Sequence, residues 1–241
     1  TAEPCPAEMA LVSFSDGAVC VDRYEAAVVK VLSGGQEMPW PFDRPVDGIT
    51  VRAIVKPNIK PQAYMSGAQA SAACQLAGKR LCTEKEWLAA CQGSRGFIYP
   101  YGNTYVKGLC NEGRSTHPIN DCFGPGSGVF TYANMNDPCP DNLPNTVATG
   151  GSFSGCRSEA GIYDLHGNLH EWIDATTGTG NGIFKGGFFV DAKINGAEST
   201  DRSGAKCSSA SHIASSPQLS AASTWANEWA KDCAELSPGS A

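Results

Sequence analysis

Apolar and polar positions alternate along residues 9–31: "MALVSF", a Ser-Asp-Gly turn, then "AVCVDRYEAAVV". A period of two in runs joined by a turn predicts a β-hairpin. Residues 33–62 lose the alternation, are rich in Gly and Pro, and read as a long loop. Helical signals follow. Ser66 stands as N-cap before "GAQASAACQLAG", with Gly78 as its natural C-cap. Thr83 caps a second helix, "EKEWLAACQG", with Glu86 in the capping-box position. Residues 93–160 show little periodicity and many turn signals, among them "YPYGN", "GPGSG" and "NDPCPDN". So long an irregular stretch in a compact domain needs disulfides, bound ions or both to hold it. Residues 183–190, "IFKGGFFV", read as a buried strand with a Gly-Gly bulge or kink. From Ala197 the composition shifts to Ala and Ser. There "STWANEWAKDCAEL" predicts a short helix, and the rest reads as linker.

Composition narrows the class. The chain has 241 residues, enough for one large domain or two small ones. With 27 Gly and 15 Pro it is no helical bundle. A net charge of −6 argues against nucleic acid as a partner, which needs a basic face. No apolar run approaches the roughly 18 residues of a membrane span. The opening "TAEPCPAEMA" shows neither the basic nor the apolar region of a signal peptide, as expected of a mature form.

Eleven cysteines, none in a CxxC pair, argue against a zinc ribbon or a thioredoxin-type motif. Dispersed through a loop-rich chain, they point to disulfides and an oxidising compartment. Buried thiols in a cytosolic protein are the alternative. The odd count leaves at least one thiol unpaired within a monomer.

The stretch "YDLHGNLHEW" raises the question of a metal. His166 and His170 are four apart, a spacing that zinc hydrolases use on a helix. Here Gly167 and Asn168 lie between them, and both are poor helix formers. The order is also H-x-x-x-H-E, which is neither zinc hydrolase signature.

Several stretches occur together and in one order: "MALVSFSDGAVCVDRYEAAV", "AACQLAGKRLCTEKEWLAACQG", "YPYGN", "GIYDLHGNLHEW" and "FKGGFF". Through them the chain resembles the formylglycine-generating enzyme, or sulfatase-modifying factor, family. The resemblance covers residues 5–196; residues 197–241 form an atypical Ala/Ser-rich tail. It implies an α+β fold, the family's variant of the C-type lectin fold, with little regular structure. It also implies calcium. The ligands would be the side chains of Asp164 and Glu171 and the carbonyl oxygens of Gly167 and Leu169. Calcium takes about six to eight hard oxygens in flexible geometry, and Gly167 lets the chain turn its carbonyls inward. A metal-free turn and a zinc site are the competing readings, and imidazole is a poor match for calcium. A second family calcium site would use Asn111.

The family's oxidases bind copper(I) with two cysteines after the KGG strand, and soft thiolates suit that ion. Aligned on Lys185-Gly186-Gly187, those positions fall at Asp191 and Gly196. Neither is cysteine, so copper is not expected. The nearest downstream thiol is Cys207. The family's closing strand supplies disulfide partners for the positions of Cys74 and Cys91. The tail lacks that strand's sequence pattern and holds only Cys207 and Cys233. An altered or frame-shifted end to an ordinary family member would account for this.

The remaining aromatic and charged residues have structural readings. Trp87 is expected in the core, Trp172, Tyr99 and Tyr101 in structural roles with groove lining as the alternative, Lys79 and Arg80 in ion pairs, and His117 and His212 on the surface. The function expected is a calcium-stabilised binding module for a peptide, glycan or protein, secreted or periplasmic and without oxidase activity. The alternatives are a copper oxidase making formylglycine and a structural surface module. Related iron enzymes need a cluster of three histidines, which the four of this chain do not match.

Overall fold

The computed structural model describes residues 5–177, 182–190, 206–208, 211–212, 229–230 and 233–236, the last three segments as backbone only. Met9–Phe14 (β1) and Gly17–Asp22 (β2) form the expected hairpin, with Met9 opposite Asp22 and Phe14 opposite Gly17. The hairpin does not continue to residue 31. The chain leaves the sheet after Asp22, and the Ala26 carbonyl takes the Gln62 amide at 3.0 Å. Ala27–Val31 (β3) then joins a second sheet, between Glu37–Pro39 (β4) and Val51–Ile54 (β5). The segment read as one loop, 33–62, therefore carries two strands. β5 buries alternate residues, but four positions are too few to read as a period. β4 is exposed throughout and is a strand only through its pairing with β3.

Both predicted helices form, because their signals are local. Gly67–Leu76 (α1) opens on Ser66, whose hydroxyl accepts from the Gln69 amide while the Gln69 side chain accepts from the Ser66 amide. It ends at Ala77, followed by Gly78 at φ 72°. Glu84–Gln92 (α2) opens on the same reciprocal pair, Thr83 and Glu86. The Glu86 carboxylate also takes the Arg80 guanidinium at 2.6 Å, and Lys79 pairs with buried Asp22 at 2.6 Å. Trp87, on the inner face of α2, is 1% exposed.

Two four-stranded sheets close the domain. The first has the order β1-β2-β11-β6, where β6 is Arg80–Leu81 and β11 is Cys233–Leu236. The second has the order β10-β7-β8-β9, built from His170–Thr176 (β7), Gly182–Lys185 (β8), Ser211–His212 (β9) and Trp229–Ala230 (β10). Two expectations are corrected. "STWANEWAKDCAEL" supplies β10 and β11 where a helix was expected. The open edges of β2 and β6 offer β11 an antiparallel ladder on both sides, and that pairing overrides its local helix propensity. The buried strand expected over 183–190 stops at Lys185, because Gly186 and Gly187 take φ 87° and 72°. Phe188, Phe189 and Val190 remain buried beyond the strand.

Residues 93–160 hold three short α-helices, Pro118–Phe123 (α3), Tyr132–Met135 (α4) and Cys139–Asn142 (α5), and one 3-10 helix, Ser127–Val129. Disulfides Cys110–Cys156 and Cys122–Cys139 brace this stretch, as its irregularity required. Cys5–Cys20 and Cys91–Cys207 add two more, and Cys74 is also disulfide-bonded. Cys82 is a buried thiol. His117 is not a surface residue. It is half-buried, its Nδ1 accepts from the Ile119 amide to cap α3, and it packs edge-on against Phe130 at 5.0 Å. The side chain of His212 lies outside the described residues. With helices and strands interspersed among long irregular segments, the fold is α+β.

Candidate functional site

The loop before β7 holds the candidate metal residues. Three of its residues take positive φ: Asp164 at 64°, Gly167 at 81° and Asn168 at 55°. Positive φ interrupts a right-handed helix, so His166 and His170 do not share a helix face. His170 starts β7 and packs against Phe184 and Phe188, at 4.6 and 4.9 Å between ring centroids. Burial pushes its pKa down to about 3. His166 turns edge-on toward Tyr99 and Tyr101, at 5.5 and 6.2 Å. Both histidines are held among rings.

Asp164 is 2% exposed. Its Oδ2 accepts one hydrogen bond, from the Gly151 amide at 2.8 Å. Burial pushes its pKa up to about 7, against the pull of that amide. Glu171 is fully buried, and its Oε2 accepts from the Trp87 indole. Trp87 is thus a core residue that also orients a site carboxylate. Gly186 passes over that carboxylate, and a Cβ there would lie 3.6 Å from Glu171 Oε2. The Gly186 carbonyl accepts from the Gly167 amide at 3.0 Å. The KGG segment and the loop therefore form one unit.

Asn111 reaches the same loop. Its carbonyl accepts from the Asn168 amide at 2.8 Å, and its side-chain amide donates to Asn168 Oδ1 and to the Thr146 carbonyl, both at 2.8 Å. A Cβ on Gly167 would stand 2.3 Å from the Asn111 carbonyl oxygen, so only glycine fits. Sequence reasoning missed Glu25 altogether. This buried carboxylate takes the Leu169 amide at 3.0 Å and the Asn168 side-chain amide. Its one sequence signal is an acid opening the apolar run "EAAVV". Leu169 itself is buried, and Glu25 fixes its backbone.

What the site offers is hard oxygen: two buried carboxylates and a coiled backbone rich in carbonyls. Among the described residues no three His, Cys, Asp or Glu side chains gather as a metal cluster. Asp191 and Gly196, where copper thiolates would stand, lie outside the described residues. Cys207 is described, and its sulfur is bonded to Cys91 with their Cα atoms 5.6 Å apart. A sulfur so bonded is not a thiolate ligand.

The sulfatase-modifying factor enzyme 1-like domain profile matches residues 19–216, most of the chain. The chain belongs to that family. Among curated proteins, it is 28% identical over 135 residues to the mouse (Mus musculus) protein named inactive C-alpha-formylglycine-generating enzyme 2. That alignment takes in 54% of this chain and 38% of the mouse protein. It is 31% identical over 113 residues to the cattle (Bos taurus) protein of the same name, taking in 46% of this chain and 32% of that protein. The matched region thus spans 38% of the mouse protein and 32% of the cattle protein.

Proposed function

We propose that this is a non-catalytic sulfatase-modifying-factor domain. It acts outside the cytoplasm as a calcium-stabilised module that binds a peptide, glycan or protein. The observation that carries the reading is the loss of thiolates after the KGG segment. Asp191 and Gly196 replace the pair expected there, and the Cys91 disulfide consumes the nearest downstream cysteine. A hard aspartate does not substitute for a soft copper(I) ligand. The two relatives are named inactive enzymes, which favours the same reading. The disulfides favour an oxidising compartment, and no described helix is long and apolar enough to cross a membrane. The family's variant of the C-type lectin fold accords with the α+β architecture and its sparse regular structure.

The test is direct. The protein is incubated with copper(I), a thiol reductant, O₂ and a peptide carrying Cys-x-Pro-x-Arg, and the peptide is weighed by mass spectrometry. No mass change to formylglycine is expected. Turnover would restore the oxidase reading.

Calcium at the loop would be held by the Asp164 and Glu171 carboxylates and the carbonyls of Gly167 and Leu169, and a second calcium site would use Asn111. The donor set fits. Asp164 is a buried carboxyl with one amide donor, and a divalent cation would stabilise its charge. Saturating calcium at pH 7.5 is expected to raise Tm, by about 2.7 kcal/mol of stability at a hundredfold excess over Kd. Asp164→Asn removes the charge that burial already disfavours. It should therefore fold as well as the parent without calcium, yet gain nothing from calcium. An equal calcium shift in parent and variant would sink the assignment.

A further inference from the structure

The disulfides differ in what covers them. Cys91, Cys207, Cys110 and Cys156 are each at most 1% exposed, and Cys5–Cys20 is buried against Met9. Cys122–Cys139 is the exception among the four bridges with both cysteines described: both of its residues are partly exposed. The strap it closes, residues 123–138, has little else to hold its middle. Pro125, Gly126, Ser127 and Gly128 are all exposed. The Val129 amide reaches the Gly126 carbonyl, and the Phe130 amide the Ser127 carbonyl, at 3.4 Å each, long for a hydrogen bond. Helix α4 is four residues long, too short to stand without support. The firmer ties sit at the two ends: Arg114 with Asp121 at 2.7 Å, the Tyr64 hydroxyl donating to the Asp137 carbonyl at 2.7 Å, and Asn142 donating to Asp43 at 2.6 Å. A segment with exposed backbone and few bonds opens at low cost.

We propose that Cys122–Cys139 is a redox latch on this strap, opened by a dithiol and closed by reoxidation. The step is thiol–disulfide exchange. One thiolate of the dithiol attacks a sulfur of the bridge, forms a mixed disulfide and expels the other cysteine as a thiolate, which takes up a proton. The second thiolate of the dithiol then attacks the reagent's own sulfur in the mixed disulfide. That closes the reagent's disulfide and expels the second cysteine, which is protonated in turn. Two electrons and two protons pass from the dithiol to the bridge. An oxidised dithiol runs the same steps backwards. Access decides which bridge reacts, and exposed disulfides are the labile ones.

The latch governs a face beside the KGG segment. In the closed strap Phe130 packs edge-on against His117 at 5.0 Å, and His117 packs on Phe188 at 5.8 Å. Phe188 directly follows Gly187 and is 7% exposed. Opening withdraws Phe130 and bares His117 and Phe188, an aromatic face that the oxidised protein keeps covered. The cross-link spans 17 residues and limits how far the opened strap can wander. Cutting it raises the opened population by up to about a hundredfold. The latch does not depend on calcium at the loop.

Limited reduction of the folded chain with dithiothreitol tests this. Freed thiols are trapped with N-ethylmaleimide and located by mass spectrometry. Cys122 and Cys139 should be trapped together, at least about tenfold faster than any other bridged cysteine. Amide hydrogen exchange then reads the strap. In the selectively reduced protein the amides of Thr131, Met135 and Asn136 should exchange about ten- to a hundredfold faster, while β1, β2 and α2 keep their protection. Removing the dithiol and adding its oxidised form should restore the slow exchange. The double variant Cys122→Ser, Cys139→Ser should exchange like the reduced parent and ignore the dithiol. Another bridge reduced first, unchanged exchange in the reduced parent, exchange that stays fast after reoxidation, or a folded variant that exchanges like the oxidised parent each overturns the latch.

Discussion

Gly167→Ala is expected to destabilise the protein by more than about 3 kcal/mol, near the severe end for a single methyl. Two effects add. The residue sits at φ 81°, where a side chain costs about 1 kcal/mol or more. The new Cβ would also stand 2.3 Å from the Asn111 carbonyl oxygen, a backbone atom that cannot swing aside. Moving Asn111 would break its bond to the Asn168 amide, and Asn168 anchors the loop to Ala148, Glu25 and Phe189. Gly35→Ala is the matched control. Gly35 has φ 80° with nothing within 4 Å of the added methyl, so it should lose only the conformational part. Urea unfolding of both variants gives the difference. Equal losses would mean that the loop yields, and that Asn111 does not fix it.

Legibility followed the range of each signal. Ser66 and Thr83 were readable as caps because their partners, Gln69 and Glu86, lie three residues on. The loop of Asp164 and Glu171 was readable because its residues fall within ten positions. Its supports were not. Glu25 is 144 residues from the Leu169 amide it accepts, and no local pattern encodes that contact. β11 was misread for the same reason. Its sequence, CAEL, reads as helix until the open edge of β2 is placed beside it. His117 read as a surface residue because neither Phe130 nor Phe188, which cover it, is a neighbour in sequence. Asp164, Asn145 and Tyr64 take positive φ without being glycine, and sequence gives little warning of such positions.

Removing the Cys91–Cys207 disulfide as a double alanine variant is expected to cost about 5 kcal/mol, the largest loss among the four bridges with both cysteines described. The bond spans 116 residues, and closing so long a loop removes the most freedom from the unfolded chain. The same relation gives about 3 kcal/mol for Cys122–Cys139, which spans 17 residues. Both cysteines of the long bridge are buried beside Trp87, Val12 and Ile173, so alanine leaves no unsatisfied polar group there. It does leave a small cavity, which adds to the loss. The consequence reaches the site. Cys91 lies in the last turn of the helix that carries Trp87, and Trp87 holds the Glu171 carboxylate. If calcium binds the loop as proposed, the variant should lose part of that stabilisation together with its own stability. Urea midpoints with and without calcium measure both. If the two double variants fell equally, loop length would not govern stability here. If the calcium response survived intact, α2 would keep its place without the bond.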